Sequence, residues 1–202
     1  MPSIPAATKG NLLALRKSRA LADSGYELLD RKQRILMAEM VKLKQQAQQL
    51  RGDIDAAFGK AYAALQQANA SHGLIDQLAQ TVPVHTGLRL RYRSVMGVEL
   101  PQVTLTLPPP EIPYSLHDTD EHVDLATNAF REVLVMTAKL SEVDYGVYRL
   151  SQEIKKTRAR ANALKNIVLP QFAAQIAAIS QSLEEKEREE LSRLKAGSRK
   201  AL

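Results

Sequence analysis

Residues 33–68 read QRILMAEMVKLKQQAQQLRGDIDAAFGKAYAALQQA. Stepping alternately by three and four residues from Gln33 visits Leu36, Met40, Leu43, Ala47, Leu50, Ile54, Ala57, Ala61, Ala64 and Ala68, all of them apolar. A spacing that averages about 3.5 residues keeps one stripe against a partner helix only if the two supercoil left-handedly. The stretch therefore predicts a coiled-coil arm.

The pattern extends backward through Leu29, Tyr26, Ala22, Arg19, Leu15 and Leu12, so that fifteen of seventeen seam positions are apolar. No proline interrupts residues 6–82. A helix from Lys9 to about Ala79 would be about 105 Å long at about 1.5 Å per residue, too long for a globular domain of this size to enclose. A second arm carries the same stepping at Val133, Met136, Leu140, Val143, Val147, Leu150, Ile154, Thr157, Ala161, Leu164 and Val168. Its rhythm then changes to Phe172 and Ile176 at four-residue steps, followed by Ile179 and Leu183. Such a stutter unwinds a coiled coil locally, and Pro170 lacks the amide that a helix interior needs. One helix from about Thr119 to Lys195, kinked near Pro170, is the expectation, with Asp118 and Glu121, or Thr119, as its cap.

Between the arms the periodicity is different. Leu88, Leu90 and Tyr92 alternate with Arg89, Arg91 and Arg93, and Val103, Leu105 and Leu107 alternate with Thr104 and Thr106. Period two is that of half-buried strands. The segment Val95, Met96, Gly97, Val98 and Pro101 punctuate them, and Pro108–Pro113 forms a stiff spacer. The expected organisation is a helical arm over 1–80, a β-hairpin insert with its Pro-rich linker over 81–118, and a returning helical arm over 119–202. The fold class is all-α dominated: a long antiparallel two-helix left-handed coiled coil with a short central β-hairpin insert. Arms that meet near Ala79 and Thr119 set Leu50 opposite Leu150 and Leu36 opposite Leu164.

Composition agrees. The chain has no Trp, three Phe and six Tyr, and a thin seam of Leu, Ile, Val, Met and Ala does without aromatic bulk. The absence of cysteine removes disulfides, thiolate metal sites and thiol nucleophiles. The start, Met1-Pro2-Ser3-Ile4-Pro5, lacks the charged and apolar regions of a signal peptide. No stretch approaches the roughly 18 apolar residues of a membrane span, so a cytoplasmic protein without direct membrane insertion is expected. Net charge is +6, dispersed as +4 over 1–80, 0 over 81–118 and +2 over 119–202, whereas nucleic-acid binders concentrate theirs. Glu184–Glu190 breaks any basic stripe.

Chemical sites find little support. His117, Asp118, Asp120, Glu121 and His122 have metal-ligand side chains without metal-ligand spacing, and they sit where a helix start favours acids. Thr8-Lys9-Gly10 lacks the glycines of a phosphate cradle. The hydroxyls have no His and acid in a nucleophile motif. Catalytic, metal and cofactor residues are thus none. The run Lys155-Lys156-Thr157-Arg158-Ala159-Arg160 reads as a solvated face or a contact for an acidic protein surface, and Arg89, Arg91 and Arg93 as edge protection.

Several blocks in a fixed order resemble the D subunit of the V-type and archaeal-type (V/A) rotary ATPases and ATP synthases. They are Pro5 with Thr8-Lys9-Gly10-Asn11-Leu12-Leu13, Gly25-Tyr26-Glu27-Leu28-Leu29-Asp30-Arg31-Lys32, Ser94-Val95-Met96-Gly97-Val98, Arg158-Ala159-Arg160-Ala161-Asn162-Ala163-Leu164 leading to Leu169-Pro170, and the charged segment Glu184–Lys195. The resemblance runs nearly end to end. It implies a central-stalk rotor that couples ATP hydrolysis or synthesis in a head of A and B subunits to proton or sodium transport through a membrane ring. It implies the F subunit of the central stalk and a funnel-shaped subunit above the ring as further partners, with the chain peripheral on the cytoplasmic face. It also makes Arg158, Arg160, Glu187 and Arg188 candidate contacts with the head. The alternative is a coiled-coil scaffold or tether without rotary partners.

Overall fold

The computed structural model describes residues 6–73, 75, 78, 80, 82, 84, 86–109 and 119–200. The elements are α1 (Lys9–His72), β1 (Leu88–Val95), β2 (Val98–Leu105), α2 (Glu121–Ala163), a π-helical turn (Leu164–Val168) and α3 (Leu169–Lys200). They are helices paired lengthwise with a two-stranded antiparallel hairpin, the class that the periodicities predict. The chain divides into two compact units, Met1–Arg34 with Ile154–Leu202 and Ile35–Glu153.

In the Ile35–Glu153 unit, α1 and α2 run antiparallel. Leu43 packs at Gly146, Arg51 bonds Asp144 and Tyr62 meets Phe130 edge-on, so rising numbers on one helix meet falling numbers on the other. Leu36, Leu43, Ala47, Ile54, Ala61 and Ala68 are buried on α1, with Val123, Ala126, Val133, Val143 and Leu150 on α2. Each α1 residue in that set stands four or seven after the last, the recurrence that left-handed supercoiling preserves. A Cβ on Gly146 would lie 3.1 Å from Leu43 Cδ1, so this glycine sets how closely the helices approach.

The register differs from the expected one. Arms joined at Ala79 and Thr119 would set Arg51 near Arg149 and Tyr62 near Ala138, and Leu50 opposite Leu150. The observed partners are Asp144 and Phe130. The reason lies at the end of α1, which stops at His72 instead of Ala79. Gly73 follows with φ +76° and its N–H on Asn69 O at 2.9 Å. A left-handed glycine directly after a helix is a C-terminal cap. A shorter arm moves every pairing toward the start of α2. That start is Glu121, with the Val123 N–H on Asp120 O at 2.9 Å. Thr119 and Asp120 directly precede the helix, while Asp118 lies outside the described residues.

In the Met1–Arg34 and Ile154–Leu202 unit, Lys9 bonds Glu187 and Lys165 sits over the Tyr26 ring, again antiparallel. Leu164 Cδ1 lies 3.9 Å from the position a Gly25 Cβ would occupy, so Leu164 faces Gly25 instead of the expected Leu36. Thr8 Oγ1 accepts the Asn11 N–H at 3.2 Å, and Asn11 Nδ2 reaches back to Ala6 O at 2.8 Å. The Thr8-Lys9-Gly10 stretch is thus an N-cap.

Near Pro170, where a kink is expected, the helix is irregular. The irregular segment is the preceding turn, Leu164–Val168, and Leu169 donates to Leu164 O across it. Leu169 and Pro170 already belong to α3. Regular 3–4 stepping would continue from Val168 to Gln171, Gln175, Ala178 and Ser182. The half-buried or buried apolar residues are instead Phe172, Ile176, Ile179 and Leu183, each one residue later. A π-helical turn absorbs one extra residue, and it widens the turn against which the Pro170 ring would otherwise clash.

Candidate functional site

The hairpin of the Ile35–Glu153 unit pairs Leu88 with Leu105 through to Val95 with Val98. Met96 and Gly97 close it with φ +50° and +80°, positive values at both central residues, which match the right-handed twist of the strands. The Thr106 N–H donates to Gly87 O, and antiparallel ladders alternate. Gly87, Arg89, Arg91, Arg93 and Val95 therefore exchange hydrogen bonds with β2, and the amides between them point away from it. Pro101 occupies a β2 position that owes the ladder no N–H. Gly87 is fixed by contact, since a Cβ there would meet Thr106 O at 2.2 Å.

Two acidic residues hold the hairpin to the helices. Glu39 on α1 accepts from Arg93 at 2.5 Å, its side chain 17% exposed. Glu142 on α2 accepts the outward Val103 N–H at 2.7 Å, so β2 turns its outer edge to the helix. Arg131 of α2 donates to Pro108 O. Val98, Leu100 and Pro101 are buried. Leu88, Leu90 and Tyr92 are 50%, 55% and 63% exposed. The alternation that predicted a half-buried β1 is thus corrected: β2 faces the core, because its amide edge and apolar end are the ones that Glu142 and the helices receive. Among the arginines read as edge protection, Arg93 is an anchor, whereas Arg89 and Arg91 are exposed.

In the same unit the expected seam residues Leu36, Leu43, Ile54, Val143 and Leu150 are buried, and Met40, Leu50, Leu140 and Val147 half-buried. Phe58, Tyr62 and Phe130 form an aromatic cluster with centroids 5.9 and 5.6 Å apart. In the other unit Ala161 is buried, and Ile154 and Leu164 are half-buried. Lys9 and Glu187 lie 2.9 Å apart. The Glu187 hydrogen bond, and then its charge, raise the Lys9 pKa. Asp30 does the same for Arg34 one turn away. Arg188 faces Glu184 at 4.0 Å. Arg158 and Arg160 are exposed, with no ion pair among the described residues.

Among the described residues no group of three or more His, Asp or Glu is placed to hold a metal. Of the His117 to His122 cluster, His117 and Asp118 lie outside the described residues, as does Pro110–Pro113 of the linker. Glu121 and Asp124 fall in the first turn of α2, where carboxylates favour the helix dipole. No described helix is long and apolar enough to cross a membrane.

The family model for the D subunit of ATP synthase matches residues 11–198. The chain belongs to the ATP synthase D-subunit family. It is 40% identical over 192 residues to the V-type ATP synthase D subunit of Thermotoga neapolitana, covering 94% of this chain and 95% of that one. The A-type ATP synthase D subunit of Pyrococcus furiosus is 35% identical, and that of Thermococcus sibiricus 32%, each over 93% of this chain and 90% of the relative. Sequence reading missed the Glu39–Arg93 and Glu142–Val103 anchors, which join positions far apart in the chain and leave no local signature. It also missed the Thr8 and Gly73 caps, for which Thr8 before α1 and Ser71-His72-Gly73 after it were legible signals.

Proposed function

We propose that the chain is the central-stalk rotor of a V/A-type ATP synthase or ATPase, coupling ATP chemistry in a head of A and B subunits to proton or sodium transport. The observation that carries this reading is family membership across residues 11–198, covering both helical arms and the hairpin. In this reading the chain has no active site. Its job is stiffness, which a seam of interlocked apolar residues gives and a flexible linker does not.

The exposed Arg158 and Arg160, with Glu187 and Arg188 at the charged end of α3, are the proposed contacts with the head. The F subunit of the stalk and the funnel-shaped subunit above the ring are the proposed partners of the remaining surface, and the complex would hold the chain at the cytoplasmic face of the membrane. The 81–118 insert is a separate partner-facing element in this scheme, set between the arms 1–80 and 119–202. Pro170 and the turn before it supply the asymmetry that a rotor needs to push unequally on its head. A tether would need only two connected ends.

The test compares ATP hydrolysis with ATP-driven ion transport in vesicles carrying the complex with native chain or with Leu36→Ala and Leu43→Ala. Truncating a buried Leu costs about 2–5 kcal/mol, here confined to one stretch of seam. A rotor with a softened shaft keeps hydrolysing while transport per ATP falls. Unchanged transport per ATP supports a tether.

A further inference from the structure

We infer that the free edge of β1 is a strand-addition site for an extended segment of a partner protein in which acidic and apolar residues alternate. The inference goes beyond the stalk role, since it concerns the chemistry the insert accepts and stands whether or not the chain rotates.

The edge is open. The ladder alternation fixed by the Thr106–Gly87 bond aims the amides of Leu88, Leu90, Tyr92 and Ser94 away from β2, and among the described residues none of them has a partner. The corresponding edge of β2 is not open, because Pro101 offers no N–H and the Val103 amide is taken by Glu142. An unpaired strand edge is a template for another strand. The two faces of that template are chemically different. Leu88, Leu90 and Tyr92 share one face and are each at least half exposed. Isolated surface leucines need no explanation, but three apolar side chains in succession along an open edge do. Arg89 and Arg91 stand on the other face, exposed and without an ion pair among the described residues.

An added strand places successive side chains on opposite faces. Residues beside Leu88, Leu90 and Tyr92 are then apolar, and those beside Arg89 and Arg91 acidic. A second copy of this chain fits poorly, because β1 laid antiparallel on β1 sets arginine against arginine, and like charges across a pair destabilise it. Edge protection and docking are compatible here: the same arginines that repel a neutral or basic strand admit an acidic one.

The test uses the full chain and a fluorescein-labelled peptide of alternating glutamate and valine, about as long as β1. Anisotropy reports binding, and amide exchange reports where. The expected result is saturable binding with slowed exchange at Leu88, Leu90, Tyr92 and Ser94. Methylating alternate peptide amides should weaken binding about tenfold or more, since main-chain bonds supply the affinity in this mode. Arg89→Glu with Arg91→Glu should abolish binding of the glutamate peptide and admit its lysine counterpart. Leu90→Pro, at an edge position where the ladder needs no N–H, should block both while leaving the helical signal intact. Equal binding of the methylated or a scrambled peptide would overturn the inference in favour of charge attraction alone. It would also fall if oligothymidylate protected the same four amides, or if they were protected by self-association without peptide.

Discussion

The π-helical turn at Leu164–Val168 has two candidate causes, Pro170 and the one-residue slip in the apolar pattern, and they are separable by substitution. One residue rotates an α-helix by about 100°. Were the helix regular through this turn, Phe172, Ile176, Ile179 and Leu183 would swing off the seam by that angle. Ile179 is 1% exposed and the other three are half-buried. Burial of such a side chain contributes about 1.5–3 kcal/mol when complete, so the four together favour the turn by about 5 kcal/mol. Accommodating a proline in an unbroken helix costs about 3 kcal/mol. The slip is therefore the stronger cause. Pro170→Ala alone should keep Leu169 N–H on Leu164 O and change the free energy of unfolding by less than about 1 kcal/mol, because one recovered hydrogen bond is worth about that much. Deleting the exposed Asn166 alone should regularise the phase but drive the proline into a continuous helix, costing about 3 kcal/mol. Deletion combined with Pro170→Ala should restore stability to within about 1 kcal/mol of the native chain. Urea unfolding of the three variants gives the energies, and a structure of Pro170→Ala gives the turn. A Pro170→Ala helix with Leu169 N–H bonded to Lys165 O and no loss of stability would refute the phase argument. So would a double variant as unstable as the deletion.

Three further outcomes follow from the geometry. Leu150→Ala should cost about 2–5 kcal/mol in thermal or urea unfolding, since Leu150 is 0% exposed, and Leu28→Ala, at 64% exposure, less than about 0.5 kcal/mol. Gly97→Ala should destabilise by about 1–2 kcal/mol through its positive φ alone, as nothing lies within 4 Å of its Cβ position, while Met96→Asn should stabilise by up to about 1 kcal/mol by supplying the residue that left-handed turns favour. Glu39→Ala should cost about 1 kcal/mol, less at high salt, and amide exchange should quicken across β1 and β2 first, because that carboxylate holds Arg93.

The arms were legible because a seam imposes its period on the sequence. Leu36, Leu43, Ile54, Val143 and Leu150 announce themselves through spacing alone, whichever partner they meet. Register was not legible in the same way. It depends on where α1 stops, which the left-handed Gly73 directly after His72 decides. The second arm showed both the stutter and the proline, and the stutter's one-residue slip, read closely, points to an inserted residue in the turn before Pro170. In the insert, the alternation of β1 correctly marked a strand and misled about its inner face. Period two says that two faces differ, but which face meets the core depends on Glu39 and Glu142, distant residues whose roles no local pattern encodes.

The most direct test of the rotor reading exploits the absence of cysteine. Glu99→Cys, at an exposed hairpin position, provides one thiol on this chain to which a light-scattering bead can be coupled in a complex fixed by its A and B head and otherwise cleared of reactive thiols. Under ATP the bead should turn continuously in one direction, and stop when hydrolysis is inhibited. A bead that stays at a fixed angle while the head hydrolyses ATP would contradict the account.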